Sequence, residues 1–90
     1  LMGKYEIISN DESGYGRYDL AMIPIKSNEK AYLMEFKISK TKKGMEERAQ
    51  KALKQIDEKK YDTKLKARGI KNILKIGVAF YGKEVKVVCK

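Results

Sequence analysis

The apolar and polar positions of the chain alternate in short extended stretches on either side of one long helical stretch. Tyr5–Ser9 is a short strand candidate, and residues 10–16 carry turn chemistry, with Gly14 and Gly16 available for unusual backbone angles. Residues 18–25 read as a second strand, with Pro24 near its end, where a missing N–H is tolerated. A tight connection at residues 27–30 leads into a third strand, Ala31–Ile38. Strand, turn, strand, turn, strand predicts an antiparallel meander. From about residue 45 to residue 68 the period becomes helical: Ala49, Ala52, Leu53 and Ile56 share a face, and Tyr61 and Leu65 continue the stripe after a drift. Gly69 suits the left-handed position after a helix, with Ile70 folding back on Leu65. Ile73–Tyr81 is then a strongly apolar strand, Gly82-Lys83 a two-residue hairpin turn, and Glu84–Cys89 the last strand. The order is βββαββ, an α+β domain with one long helix packed on a mixed sheet. No repeat or linker interrupts it, so residues 1–90 are expected to form a single domain.

Composition narrows the chemistry. The 21 basic and 12 acidic side chains leave a net charge of +9, which favours polyanions through phosphate attraction and counterion release. An anionic membrane surface is the competing partner. It fits little else, because the sheet needs the helix's apolar stripe. No apolar run approaches the roughly 20 residues of a membrane-spanning helix, and no signal-peptide pattern opens the chain. The lone Cys89 cannot form an internal disulfide, which points to a reducing cytoplasm, and it reads as a small buried hydrophobe on the last strand. Histidine is absent, so Ser-His and Cys-His couples, His-metal centres and HExxH sites are excluded. A general acid or base has to be Asp, Glu, Lys or Tyr, or a metal-bound water.

Three charges interrupt apolar strands. Glu35 and Lys37 share a face with Ala31 and Leu33, while Tyr32, Met34, Phe36 and Ile38 share the other. A strand apolar on both faces is expected to be central and covered on both sides, and burying charges in it is costly unless they pair or bind something. Asp19 likewise alternates with Ala21 and Ile23 in the preceding strand. If the strands are neighbours, Asp19 and Glu35 meet, and two close carboxylates call for a cation. Oxygen ligands without histidine or thiolate select Mg²⁺ or Mn²⁺. Lys37, about 7 Å along the strand from Glu35, could reach a scissile phosphate. Asp, Glu-x-Lys and a metal make a hydrolytic apparatus for phosphodiesters. Taken alone, Glu-x-Lys is far more readily an edge-strand pair in solvent; Asp19 in the preceding strand, the apolar neighbours and the basic chain turn the reading towards function.

Asp19, then Glu35-Phe36-Lys37 after a short hairpin, then a helix carrying Gln55, resembles the PD-(D/E)XK nuclease superfamily. Nearest in pattern is the nuclease domain at the C-terminus of bacterial AAA-ATPase-like proteins. That match is carried by residues 13–19, Glu35-Phe36-Lys37, Ala52-Leu53-Lys54-Gln55-Ile56 with Lys59-Lys60-Tyr61, and Gly77-Val78-Ala79-Phe80 with Gly82-Lys83. The resemblance implies a restriction-endonuclease-like core and Mg²⁺-dependent hydrolysis of DNA by a metal-activated water, without sequence specificity. An AAA-type ATPase domain is implied as companion. By the same resemblance Asp19 and Glu35 are metal ligands, Lys37 is the lysine beside the scissile phosphate, and Gln55 is the helix glutamine that helps position the site. Arg17, Tyr15 and Lys59 are the expected DNA contacts. Two departures stand out: five residues separate Gln55 from Tyr61 where such nucleases carry Q-x3-Y, and Arg17-Tyr18 replaces the motif's proline. The core's first helix, which often supplies another acidic residue in such nucleases, would lie before Tyr5, so the chain reads as a fragment: either the site is incomplete here, or another chain covers the exposed sheet face, which would show as a dimer. Arg48, Lys51, Lys54, Lys59 and Lys60 read as a solvated helix face. A non-catalytic nucleic-acid-binding or docking module is the alternative.

Overall fold

A computed structural model describes residues 4–9, 20–26, 28–58 and 62–90. Its elements are β1 (Tyr5–Ser9), β2 (Leu20–Pro24), β3 (Ala31–Ile38), α1 (Met45–Glu58), α2 (Asp62–Ala67), β4 (Ile73–Tyr81) and β5 (Glu84–Cys89). The sheet runs β1-β2-β3-β4-β5. The expected meander is there, β1, β2 and β3 pairing antiparallel. The chain then crosses through the helices so that β4 pairs parallel with β3, and β5 returns antiparallel. The fold is α+β, a mixed five-stranded sheet with helix packed on one side, consistent with a restriction-endonuclease-like core.

The helical stretch is two helices, with residues 59–61 outside the described residues. Ile56 and Leu65 are both buried in the cluster that holds Ala21, Ile23, Ala31, Leu33 and Ile70. Nine residues at about 100° each would turn Leu65 to the far side of a straight helix from Ile56. Two helices bring both inward. The end of α2 is the expected Schellman motif: Ile70 N–H donates to Leu65 O at 3.1 Å, Gly69 N–H to Lys66 O at 2.9 Å, and Gly69 has φ 91°.

The faces of the sheet are unequal. Ala21, Ile23, Ala31, Leu33 and Ala79 are buried on the helix side. On the other side Ile7, Ile38, Val85 and Val87 are all more than half exposed, and Phe36 and Phe80 are partly so. β3 is central, as expected; on its second face Tyr32 and Met34 are partly buried and the neighbouring Val78 is buried, while Phe36 and Ile38 are exposed. Cys89 is exposed, not buried: pairing with Ile76 in the edge strand β5 turns it to the open face.

Candidate active site on the helix side of the central strand

Strand alternation decides where the site's charges point. Ala31 and Leu33 are buried beneath the helices, so Glu35 and Lys37, at the next alternate positions, stand on that covered side. Glu35 is 8 % exposed and Lys37 is half-buried. The register pairs Glu35 with Gly77 and Lys37 with Ala79 on β4.

Gly77 is why the helix sits so close. A Cβ built on it would lie 2.2 Å from Ala49 O and 2.7 Å from Leu53 N, so any side chain there would lift α1 off the sheet. The helix backbone between Ala49 and Leu53 therefore passes directly over Gly77, the lateral neighbour of Glu35. Packing orients the rest. Met45 and Ala49 meet Ala79 and Val88 at one end, and Ile56 meets Ala31 and Leu33 at the other. Thus α1 runs antiparallel to β3 and β4.

Ion pairs identify the flank of α1 that faces β5. Glu46 pairs with Lys86 at 3.3 Å, and Asp57 with Lys75 at 2.7 Å and with Lys90. Hydrogen bonds from Lys75 and Lys90 hold the Asp57 carboxyl below the usual carboxylate range. Those from Gln50 and Lys86 do the same for Glu46. Gln55, about 160° around the helix from Asp57, is on the opposite flank, which is turned toward β3. It is half-buried there and borders a shallow groove with Lys51, Lys54 and Glu58.

Glu35 and Lys37 thus share the helix-side face of β3, while Gln55 is on the β3-side flank of α1 and lines a groove made of helix residues alone. Asp19, Arg17, Tyr15, Lys59 and Tyr61 lie outside the described residues. Leu20, the sequence neighbour of Asp19, pairs with Met34, the neighbour of Glu35. Among the described residues no three acidic or cysteine side chains gather into a metal-binding group. What Glu35 offers is one enclosed, hard oxygen donor set among apolar neighbours, a donor of the kind Mg²⁺ and Mn²⁺ select.

Two residues of this region were not legible as such. Arg48, read above as solvated, is half-buried; the signal was its separation from Gln55 by seven residues, two helical turns on one flank. Gly77 belongs to one of the segments that carry the resemblance, but as a residue it signals a close approach only by being a glycine in a strand.

A scan of protein-family models matches residues 1–90 to the model described as the PD-(D/E)XK nuclease superfamily. No curated protein and no solved structure matches the chain.

Proposed function

This chain belongs to the PD-(D/E)XK nuclease superfamily, and on that premise we propose that it cleaves DNA phosphodiester bonds with the help of Mg²⁺ or Mn²⁺, without sequence specificity. The family brings nuclease activity, nucleic-acid binding and the general use of divalent metals. The observation that carries the finer reading is Glu35, almost fully enclosed in the central strand, with Lys37 next on its face.

Asp19 and Glu35 are the residues we assign to the metal, and the metal supplies Lewis-acid stabilisation of charge at phosphorus. The protein's own groups do the rest. Lys37 places its ammonium toward the phosphate oxygens, where negative charge builds up. Gln55 holds donor and acceptor in one planar amide and orients the groups around Glu35. Arg17, Tyr15 and Lys59 remain our proposed strand contacts, through phosphate and without base reading.

The test is cleavage of supercoiled and linear DNA with Mn²⁺ by wild type, Asp19→Asn, Glu35→Gln and Lys37→Ala. Each variant is expected to lose at least about 100-fold in rate while keeping most of its DNA affinity. Glu35→Gln cutting at the wild-type rate would sink the assignment. A readout independent of activity is thermal stability: Mn²⁺ should raise the Tm of wild type and leave that of Glu35→Gln unmoved.

The net charge of +9 attracts nucleic acid whether or not the carboxylates work, so the second reading is a non-catalytic binding or docking module. It would show DNA binding with no Mn²⁺-linked rise in Tm. To the leading reading we attach three further assignments. One is an AAA-type ATPase as neighbouring domain or partner, visible as ATP-stimulated cleavage. Another is a reducing, cytoplasmic setting, which the exposed free thiol of Cys89 supports. The third is a homodimer through the open sheet face.

A further inference from the structure

Beyond Lys37 the strand β3 runs out into Ser39 and Lys40. There a cavity of about 420 Å³ opens between the end of the strand, at residues 38–41, and the start of α1, at Gly44, Glu47 and Arg48. Its strand-side wall is held in place. Ser39, 4 % exposed, donates from its hydroxyl to Thr41 O at 2.6 Å and accepts from Thr41 N–H at 3.3 Å. The Thr41 hydroxyl in turn accepts from Gly44 N–H at 2.9 Å.

Arg48 forms the opposite wall. It sits on the same flank of α1 as Gln55, two turns nearer the helix start. Helical side chains lean toward that start, so the guanidinium projects past the level of Glu35 toward Lys37 and Lys40. Its Nε is fully enclosed, and no described residue accepts a hydrogen bond from it. The Nε is the enclosed atom; Arg48 as a whole is half-buried and lines the cavity, where a planar guanidinium fork matches two oxygens of a phosphate. Lys40 adds a second positive charge, and the exposed Glu47 is the one acid in the lining.

We propose that this cavity is an anion subsite in which Arg48 and Lys40 hold a nucleic-acid phosphate a few nucleotides along the strand from the reacting one. The inference rests on the nuclease reading above. Lys40 follows Lys37 by three residues, about 10 Å of extended chain. At about 3.4 Å of rise per nucleotide, that is two or three nucleotides along the strand. Arg48 is then a positioning residue: it fixes the strand so that the phosphate to be cut stays over Glu35 and Lys37.

The experiment is fluorescence anisotropy with a labelled DNA duplex of about 20 base pairs, titrated over a range of KCl concentrations with EDTA present. Arg48→Gln should weaken binding about 5- to 10-fold and lower the slope of log K against log[salt] by about 0.9, the loss of one phosphate contact. Glu47→Gln should change affinity in the opposite direction. Lys71→Gln, a charge-matched change at the far end of the sheet, should leave the slope within about 0.3 of wild type. Arg48→Lys, which keeps the charge and most of the packing, should keep the slope and lose part of the affinity; this separates the contact from any loss of folding.

The subsite and the nuclease reading fail separately. Wild-type cleavage with an Arg48→Gln variant unchanged in affinity and slope overturns the subsite alone. An Arg48-dependent slope in a protein that never cuts supports the subsite and overturns the nuclease reading. Wild type that does not bind the duplex at all overturns both.

Discussion

At the scale of single residues, the charges were legible and the glycine was not. Glu35 and Lys37 could be picked out because a strand with apolar residues on both faces has no cheap place for a carboxylate, and the structure puts Glu35 in the covered layer. Gly77 matters as much for the site, yet nothing in its neighbours announces that a helix backbone passes over it. Gly77→Ala puts a Cβ 2.2 Å from the carbonyl of Ala49, where neither backbone can yield without separating helix from sheet. A loss of at least about 2–3 kcal/mol in urea unfolding is expected. Gly82 is the contrast. Its φ is 59° and a Cβ there meets nothing within 4 Å, so Gly82→Ala should cost only about 1 kcal/mol of backbone strain. Equal losses at both glycines would mean that close approach is not what Gly77 provides.

At the scale of elements, β1, β3, β4 and β5 could be read residue for residue because period-two alternation and turn chemistry agree at their ends. The helical stretch could not, because its stripe drifts. Ile56 and Leu65 are about 180° apart in the helical pattern, yet both are buried in one cluster, and only that shared burial shows that α1 and α2 each turn a residue inward. Leu65→Ala should cost about 2–4 kcal/mol, close to the cost of truncating Ile56, although α2 is far shorter than α1. A second kind of tie between helix and sheet is ionic, and its half-buried example is Asp57 with Lys75 and Lys90. Its folded-state pKa is lowered, so its contribution is fully present above the unfolded value, about 3.9, and fades as pH falls through the folded one. Asp57→Asn should therefore lower stability by about 1 kcal/mol at pH 7. The difference from wild type should shrink below about pH 4 and vanish at lower pH. A gap that persisted undiminished in acid would show that the two lysines are not what Asp57 serves.

At the scale of the whole molecule, the sheet sorts its charges by side. Glu6, Glu35, Lys37, Lys75, Glu84 and Lys86 are all on the helix side by register, and the strand positions of the open side carry none. Charged residues make up 37 % of the chain, so such a face is built to be covered. Five strands about 4.8 Å apart and 5 to 9 residues long present roughly 400–500 Å² in projection. Two copies face to face then reach about 1,000 Å² once the corrugation of side chains is counted, near the lower limit for a specific interface. With the strand charges on the far side of each sheet, repulsion between two molecules of net charge +9 is largely screened at physiological salt, where the Debye length is about 8 Å. The homodimer proposed above should therefore be weak and concentration-dependent, and it should tighten with added sulfate, as apolar contacts do. Val87 is the place to test it. It stands on the open side, 54 % exposed, and on the opposite face of the sheet from Glu35, so Val87→Lys buries a charge only if a second copy is present. Sedimentation equilibrium should show wild type passing from monomer to dimer as concentration rises while Val87→Lys stays monomeric, with Tm little changed. Wild type that remains monomeric throughout would mean the face awaits a different cover, and the dimer would be given up.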